Sequence, residues 1–383
     1  MTELTSDELR RYSRHLLIPE VGLAGQQRLK DASVLVVGTG GLGSPVSLYL
    51  AAAGVGRIGL VDYDRVDESN LQRQIVHGTS TLGLLKVESA RRRLLDLNPC
   101  IQVDVYDQPF TSANARETAA PYDVFVDGTD NFPTRYLLND LAVFLGRPLV
   151  YGSIYRFDGQ VSVFDARRGP CYRCLFPVPP PPGSVPSCAE GGVLGVLPGV
   201  IGALQAGEAL KLLLGIGDPL VGRLLLYNGL DLTFETIRLK KNPHCRVCSP
   251  EADIKELVDY DEFCGLPAHG QPAPAADEAR IMTPEMLASR LNGDQPPLLL
   301  DVRDPHELQI SSLPGAMNIP LGQLPARLAE LDPAREIVVF CRTGSRSERA
   351  AILLASSGFA QVHNLQGGIN AWARSVDHSL PQY

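Results

Sequence analysis

Short apolar runs alternate with longer stretches of helical periodicity through the first part of the chain. Residues 34–37, 57–61, 101–106, 123–127 and 148–151 are each a brief, nearly continuous apolar block, and the segments between them carry apolar residues at helix spacing. That rhythm predicts an α/β fold built on a doubly wound sheet whose strands are covered on both faces. The longest apolar stretch, "GGVLGVLPGVIGALQAGEALKLLLGIG", is interrupted by Pro198, Gln205, Glu208 and Lys211, so it predicts a buried helix rather than a membrane span. A proline-rich loop, "FPVPPPPGSVPSCAEGG", precedes it, and "CGLPAHGQPAPAADEARI" reads as a linker. The expected division is a first domain over 1–265, a linker over 266–280 and a second α/β domain over 281–383, where "LLLDVRD", "EIVVFCRTGSRS" and "QVHNLQGGINAW" again alternate strand and helix.

Composition changes this picture little. A chain of 383 residues with 44% hydrophobic content can bury more than one core. The formal charge of −8 argues against a general nucleic-acid binder, which needs a basic surface. The start, "MTELTSDELRRYSRHLL", is polar and amphipathic with no apolar signal core, so a cytoplasmic location is expected, with no membrane partner. Eight cysteines in such a compartment point to metal binding or catalysis rather than to disulfides.

The first apolar block runs into "GTGGLGS", in which Gly38, Gly40 and Gly43 spell GxGxxG between a strand and a helix, and Asp62 closes the next strand. This is a fingerprint for an adenosine ribose and phosphates, and it serves NAD and ATP alike. A triphosphate carries more charge than the pyrophosphate of NAD and travels with Mg²⁺, so cations and a spare carboxylate should lie near. Asn70 and Arg73 in "DESNLQRQ", Lys86 in "GLLKVESA" and Asp130 in "DGTDNFPTR" all fall after strand ends, where an open parallel sheet binds its ligands.

Two CxxC pairs stand apart from these segments: Cys171 and Cys174 in "CYRC", and Cys245 and Cys248 in "HCRVC". Two such knuckles offer four thiolates to a tetrahedral Zn²⁺, with no position left for water, so a structural zinc site is expected; His244 is a neighbour rather than a ligand.

The glycine loop, "LVDYDRVDESNLQRQ", "GLLKVESA", "DGTDNFPTR" and the cysteine pairs together resemble the MoeB and ThiF adenylyltransferases, bacterial relatives of ubiquitin-activating enzymes, over nearly all of residues 1–265. The resemblance implies a Rossmann-like domain that uses ATP and Mg²⁺ to activate the C-terminal glycine of a ubiquitin-like sulfur carrier ending in Gly-Gly. It implies nucleotide contacts from Gly38, Gly40, Gly41, Gly43, Asp62, Asp64, Ser69, Asn70, Leu71, Gln72, Arg73, Lys86, Asp130 and Asn131. Within that set Asp62 would hold the ribose, Arg73 and Lys86 the phosphates, and Asp130 the Mg²⁺. "RYSRHLLIPEVG" also matches, which implies a homodimer in which Arg14 reaches the partner's ATP.

Two cysteines qualify as sulfur nucleophiles. Cys188 lies in "SVPSCAEGGVLG", before a predicted helix whose free N–H groups favour a thiolate, and it matches a family cysteine that bonds to the carrier or receives sulfur. Cys341 ends an apolar strand and opens a glycine-containing loop leading into a helix, so that backbone N–H groups converge on its sulfur while Arg342 and Arg346 add positive charge. Such a setting favours a thiolate or a persulfide anion. Cys100 and Cys264 read as structural. "VVFCRTGSRSERAA", "LLDVRDPHEL", "LPGAMNIP" and "LQGGINAW" resemble a rhodanese domain, although "SSLPGA" stands where rhodaneses commonly read "GHIPGA". Cysteinyl-phosphate chemistry is another use for such a loop, but the spacing from Cys341 to Arg346 is one residue shorter than in tyrosine phosphatases. The combined reading is carrier adenylation followed by attack of a Cys341 persulfide, loaded by a donor such as a cysteine desulfurase or thiosulfate, to give a thiocarboxylate. An activating enzyme that passes its modifier to a protein thiol for conjugation, an NAD oxidoreductase and a non-catalytic scaffold are the alternatives.

Overall fold

The computed structural model describes residues 2–181, 191–265 and 281–383. The chain divides into two compact units, Met1–Gly270 and Gln271–Tyr383.

The first unit is organised around an eight-stranded sheet. In chain order the strands are β1 (Ser33–Val37), β2 (Arg57–Val61), β3 (Gln102–Tyr106), β4 (Val124–Asp127), β5 (Leu149–Tyr155), β6 (Asp158–Phe164), β7 (Arg223–Asn228) and β8 (Thr233–Arg238), and their order across the sheet is β3-β2-β1-β4-β5-β6-β7-β8. The pairs from β3 to β5 are parallel, as the apolar blocks predict; β1 is buried along its whole length because helices cover both its faces. The other end differs from the sequence expectation: β5 continues to Tyr155 and turns into β6, and β6, β7 and β8 add an antiparallel meander. The polar "TFETIR" of β8 is exposed throughout, so it lacks the apolar signal by which the inner strands were found.

The long apolar helix is present as Leu197–Leu214, with Pro198 in its first turn and Gly215 ending it at φ 69°. By length and composition it would pass as a membrane span. Here it packs on β5, β6 and the helix Gly43–Ala53. Its polar residues are bonded within the fold: Gln205 Nε2 donates to the Asp127 carbonyl at 2.7 Å, and Glu208 accepts from the Leu220 N–H at 2.7 Å.

The second unit holds β9 (Ile281–Met282), β10 (Leu298–Asp301), β11 (Met317–Asn318), β12 (Ile337–Phe340) and β13 (Val362–Leu365), all parallel, in the order β11-β10-β12-β13-β9. Along β12, Ile337 and Val339 enter one core and Val338 and Phe340 the opposite one. Both faces are therefore covered, which is why the strand reads as an unbroken apolar run.

Candidate functional site

A cavity of about 570 Å³ opens at the C-terminal ends of the parallel strands in the first unit, lined among others by Gly38, Gly40, Gly41, Asp62, Asp64, Arg73, Lys86, Asp130 and Asn131. The glycine loop is shaped by close approach. Gly38 has φ +89°, and a Cβ there would lie 2.6 Å from the Gly128 carbonyl oxygen; a Cβ on Gly43 would lie 1.9 Å from the Gly38 carbonyl oxygen. Gly43 therefore sits behind the loop, where it sets how closely the following helix packs, and not on the cavity wall.

Asp62 ties this loop to β2. One carboxylate oxygen accepts from the Thr39 N–H at 2.8 Å and lies 3.0 Å from the Thr39 hydroxyl, while the other accepts from the Asp64 N–H at 3.0 Å. Burial pushes its pKa up, against the pull of Lys86 and of the backbone N–H groups. Lys86 is itself buried, with its Nζ 2.8 Å from Asp64 Oδ2, and Arg73 donates to the Ser69 carbonyl at 3.0 Å. Asn131 caps the helix Phe132–Leu145 by accepting from the Thr134 N–H at 3.0 Å, which leaves the neighbouring Asp130 exposed at the rim.

Several expected residues lie elsewhere. Ser69, Asn70, Leu71 and Gln72 form a short turn that carries Arg73 but does not line the cavity. Arg14 is exposed on the helix Ser13–Leu16, away from this wall. Cys188 lies outside the described residues. The cavity also takes in residues that the sequence reading passed over. Gln74 is buried against the loop, and its Oε1 has no hydrogen-bond partner among the described residues. Arg135 bonds the Asp127 carboxylate at 3.0 Å, and Cys264, read as structural, also lines the wall, where burial pushes its thiol up to about 11. Gln74 ends the "NLQRQ" segment and was within reach of sequence reasoning. Cys264 was not, because only the fold returns it to the strand ends.

His77 braces the loop from below. Its Nε2 lies 3.1 Å from the Thr39 carbonyl, which can only accept, so Nε2 carries the proton; its Nδ1 lies 3.0 Å from Ser89 Oγ on the helix Lys86–Leu97. The glycine loop and the helix that carries Lys86 are thus joined through one neutral imidazole. Burial lowers the His77 pKa from 6.5 to about 4. The unfolded chain therefore takes up this proton first as pH falls, and the contribution to stability, complete above pH 6.5, is lost between 6.5 and 4. About 3 kcal/mol is the scale of the whole loss. His77→Gln, which cannot titrate, should flatten this part of the pH dependence in denaturant unfolding. Coincident slopes for the two proteins would show that His77 is not held neutral.

The four paired cysteines converge. The Cys171, Cys174, Cys245 and Cys248 sulfurs lie within 4.8 Å of one another, with separations of 3.9 Å between Cys171 and Cys174, 3.5 Å between Cys171 and Cys245, and 3.4 Å between Cys174 and Cys248. A tetrahedron with metal–sulfur bonds of ~2.3 Å has edges of about 3.8 Å, so the cluster fits a four-thiolate Zn²⁺. His244 is turned toward Glu251 at 3.3 Å and is not part of it.

In the second unit Cys341 follows β12 directly and is buried. Its sulfur accepts from the Gly344 N–H at 3.1 Å and lies 3.4 Å from Ser347 Oγ. The loop is held from beneath: the Ile369 and Asn370 N–H groups donate to the Cys341 and Arg342 carbonyls at 2.8 and 3.1 Å, and a Cβ on Gly368, at φ +61°, would lie 2.4 Å from the Cys341 carbonyl oxygen. Arg346, expected to add positive charge beside the sulfur, is engaged by a carboxylate. Its guanidinium makes a buried two-pronged pair with Glu307 at 2.6 and 2.7 Å. Burial alone would raise the Glu307 pKa, but Arg346, the Asp304 N–H and the Tyr383 hydroxyl together hold the carboxylate below its usual range. With Arg346 engaged in this pair, the loop does not present it for clasping a phosphoryl group. Ser311 and Ser312 occupy the place of the usual Gly-His; the Ser311 carbonyl accepts from Arg303 at 2.9 Å, and Ser312 is exposed.

Comparison with known proteins fits both halves. Residues 12–247 match the model of the ThiF family and residues 283–375 that of the rhodanese-like domain. The chain is 48% identical to the probable adenylyltransferase/sulfurtransferase MoeZ of Mycobacterium tuberculosis, over 99% of this chain and 96% of that one. It is 45% identical to the adenylyltransferase and sulfurtransferase MOCS3 of Drosophila persimilis, over 100% and 87% respectively. Among solved structures, Escherichia coli MccB superposes with a TM-score of 0.57 at 24% identity, covering 62% of this chain and 74% of that chain, a likeness of fold. The chain belongs to the ThiF family, carries a rhodanese-like domain after it, and is an adenylyltransferase and sulfurtransferase.

Proposed function

We propose that this enzyme uses ATP to adenylate the C-terminal glycine of a ubiquitin-like sulfur carrier and then converts it to a thiocarboxylate with sulfur held on Cys341. The observation that carries the first step is the cavity itself, a glycine loop faced by Arg73, Lys86 and an exposed Asp130. Asp62 would hold the ribose, Arg73 and Lys86 the phosphates, and Asp130 a Mg²⁺ at the rim. A carboxylate oxygen of the carrier attacks the α-phosphorus, pyrophosphate leaves, and the cations stabilise the charge that builds on the phosphates. Opposition of Lys86 and Asp64 at 2.8 Å keeps the lysine extended toward the cavity before ATP arrives. Arg14, exposed on its short helix, would act in the site of a homodimer partner.

In the second step the Cys341 thiolate takes the outer sulfur of a donor; with thiosulfate, sulfite leaves and Cys341 becomes a persulfide. The terminal sulfur attacks the acyl-adenylate and AMP leaves, giving an acyl disulfide. A thiol, for which Cys188 is the candidate, attacks Cys341 Sγ and releases the thiocarboxylate, and an external thiol then reduces the resulting disulfide. Joining both steps in one chain raises the local concentration of persulfide at the adenylate.

Lys86→Ala should lower carrier-dependent ATP–pyrophosphate exchange by on the order of 10²-fold while leaving the fold intact. An unchanged exchange rate would remove Lys86 from the reaction. Mass analysis of the carrier separates this reading from conjugation: a thiocarboxylate product supports it, whereas a carrier thioester or isopeptide would replace it.

A further inference from the structure

Tyr383 is far from Cys341 in sequence, yet it joins both arms of the loop around that sulfur. Its phenol oxygen lies 2.6 Å from Arg303 Nη1 and 3.1 Å from Glu307 Oε1, so the hydroxyl accepts from the arginine and donates to the carboxylate. Glu307 is the partner of Arg346, at the start of the helix that follows the loop. On the other arm, the Arg342 guanidinium lies over the Tyr383 ring, 5.8 Å from its centroid. The backbone is fixed as well. Asn370 donates from Nδ2 to the Tyr383 carbonyl at 2.7 Å, while its own N–H holds the Arg342 carbonyl at 3.1 Å. Arg303, the other phenol partner, is fully buried in a pair with Asp301, which makes the anchor rigid.

We propose that Tyr383 is a positioning residue for sulfur transfer, which holds Arg342 at the mouth of the Cys341 loop through its ring and locks the Glu307–Arg346 pair through its hydroxyl, so that an anionic sulfur donor meets a fixed cation. The inference rests on Cys341 being the sulfur-carrying residue. Arg342 is half-buried, and among the described residues it has no carboxylate partner, which leaves its charge to the incoming anion. Without the ring, the long arginine side chain regains its rotamers, and an anion must order it on binding.

The test uses the full chain with thiosulfate as donor and cyanide as acceptor, comparing Tyr383→Leu, Tyr383→Phe and Arg342→Leu. Tyr383→Leu should raise the KM for thiosulfate about fivefold, with a much smaller change in kcat. Tyr383→Phe keeps the ring and should recover most of that KM, and Tyr383→Leu should add little once Arg342→Leu is present. A purely structural role would instead lower kcat along with the folded fraction and leave KM alone. That pattern, or an unchanged KM in both Tyr383 variants, would overturn the proposal. Should Tyr383→Leu fail to fold, the same decision falls to Tyr383→Trp, which keeps a ring under Arg342 and should keep the KM low; a raised KM there counts against the ring. Loss of all activity in Cys341→Ser confirms the reading beneath the inference, whereas full activity in that variant would remove the reading and not only Tyr383.

Discussion

Cys341→Ser is expected to abolish thiocarboxylate formation, by on the order of 10³-fold or more, while carrier-dependent pyrophosphate exchange continues at the wild-type rate. The size of the effect follows from chemistry and from composition. A serine oxygen cannot carry the transferable sulfur of a persulfide, and Cys341 is the single cysteine between residues 281 and 383. The sulfur is also built into its surroundings: the Gly344 N–H points at it, and the helix Ser345–Ser356 begins beside it with Gly344 at φ +104°, a conformation that L side chains rarely adopt. Exchange is spared because it needs only the cavity of the first unit. The measurement is carrier mass together with isotope exchange on the same preparation. Thiocarboxylate formed at the wild-type rate would assign the sulfur to another residue.

Removing the metal from the cysteine cluster should have the largest effect on stability. Cys245→Ser is expected to lose bound zinc and to destabilise the first unit by several kcal/mol, within the ~10–16 kcal/mol that structural zinc sites contribute in all. The knuckle is attached to the rest of the unit through a buried pair. Arg173, between Cys171 and Cys174, donates to both Asp140 oxygens at 2.8 Å, and the Tyr260 hydroxyl donates to Asp140 at 2.7 Å. Breaking one side of a fully buried pair leaves an uncompensated charge, which costs far more than the pair contributes. Asp140 lies on the helix Phe132–Leu145, whose first turn starts at Asn131 beside Asp130, so a loosened knuckle should weaken adenylation as well. Metal analysis and thermal unfolding with and without a chelator decide the matter. A folded chain that contains no zinc and melts unchanged in chelator would rule out a structural ion.

The sequence alone determined what short-range rules specify. The parallel strands appear because a strand covered on both faces must be apolar throughout, and the glycine loop appears because only glycine fits at Gly38 and Gly43, where a Cβ would meet backbone. The two cysteine pairs and the Cys341 loop were legible for a similar reason, since a metal or an anion cradle demands particular atoms at fixed spacing. The tertiary structure decided what depends on long-range packing. The outermost strand, β8, escaped notice because an exposed edge strand need not be apolar. Arg346 reads as added positive charge beside Cys341, yet Glu307, distant in sequence, pairs with it. His77 under the glycine loop, Cys264 in the cavity wall and Tyr383 beside the Cys341 loop carry no local signature, because each acts through a contact that exists only once separated segments are folded together.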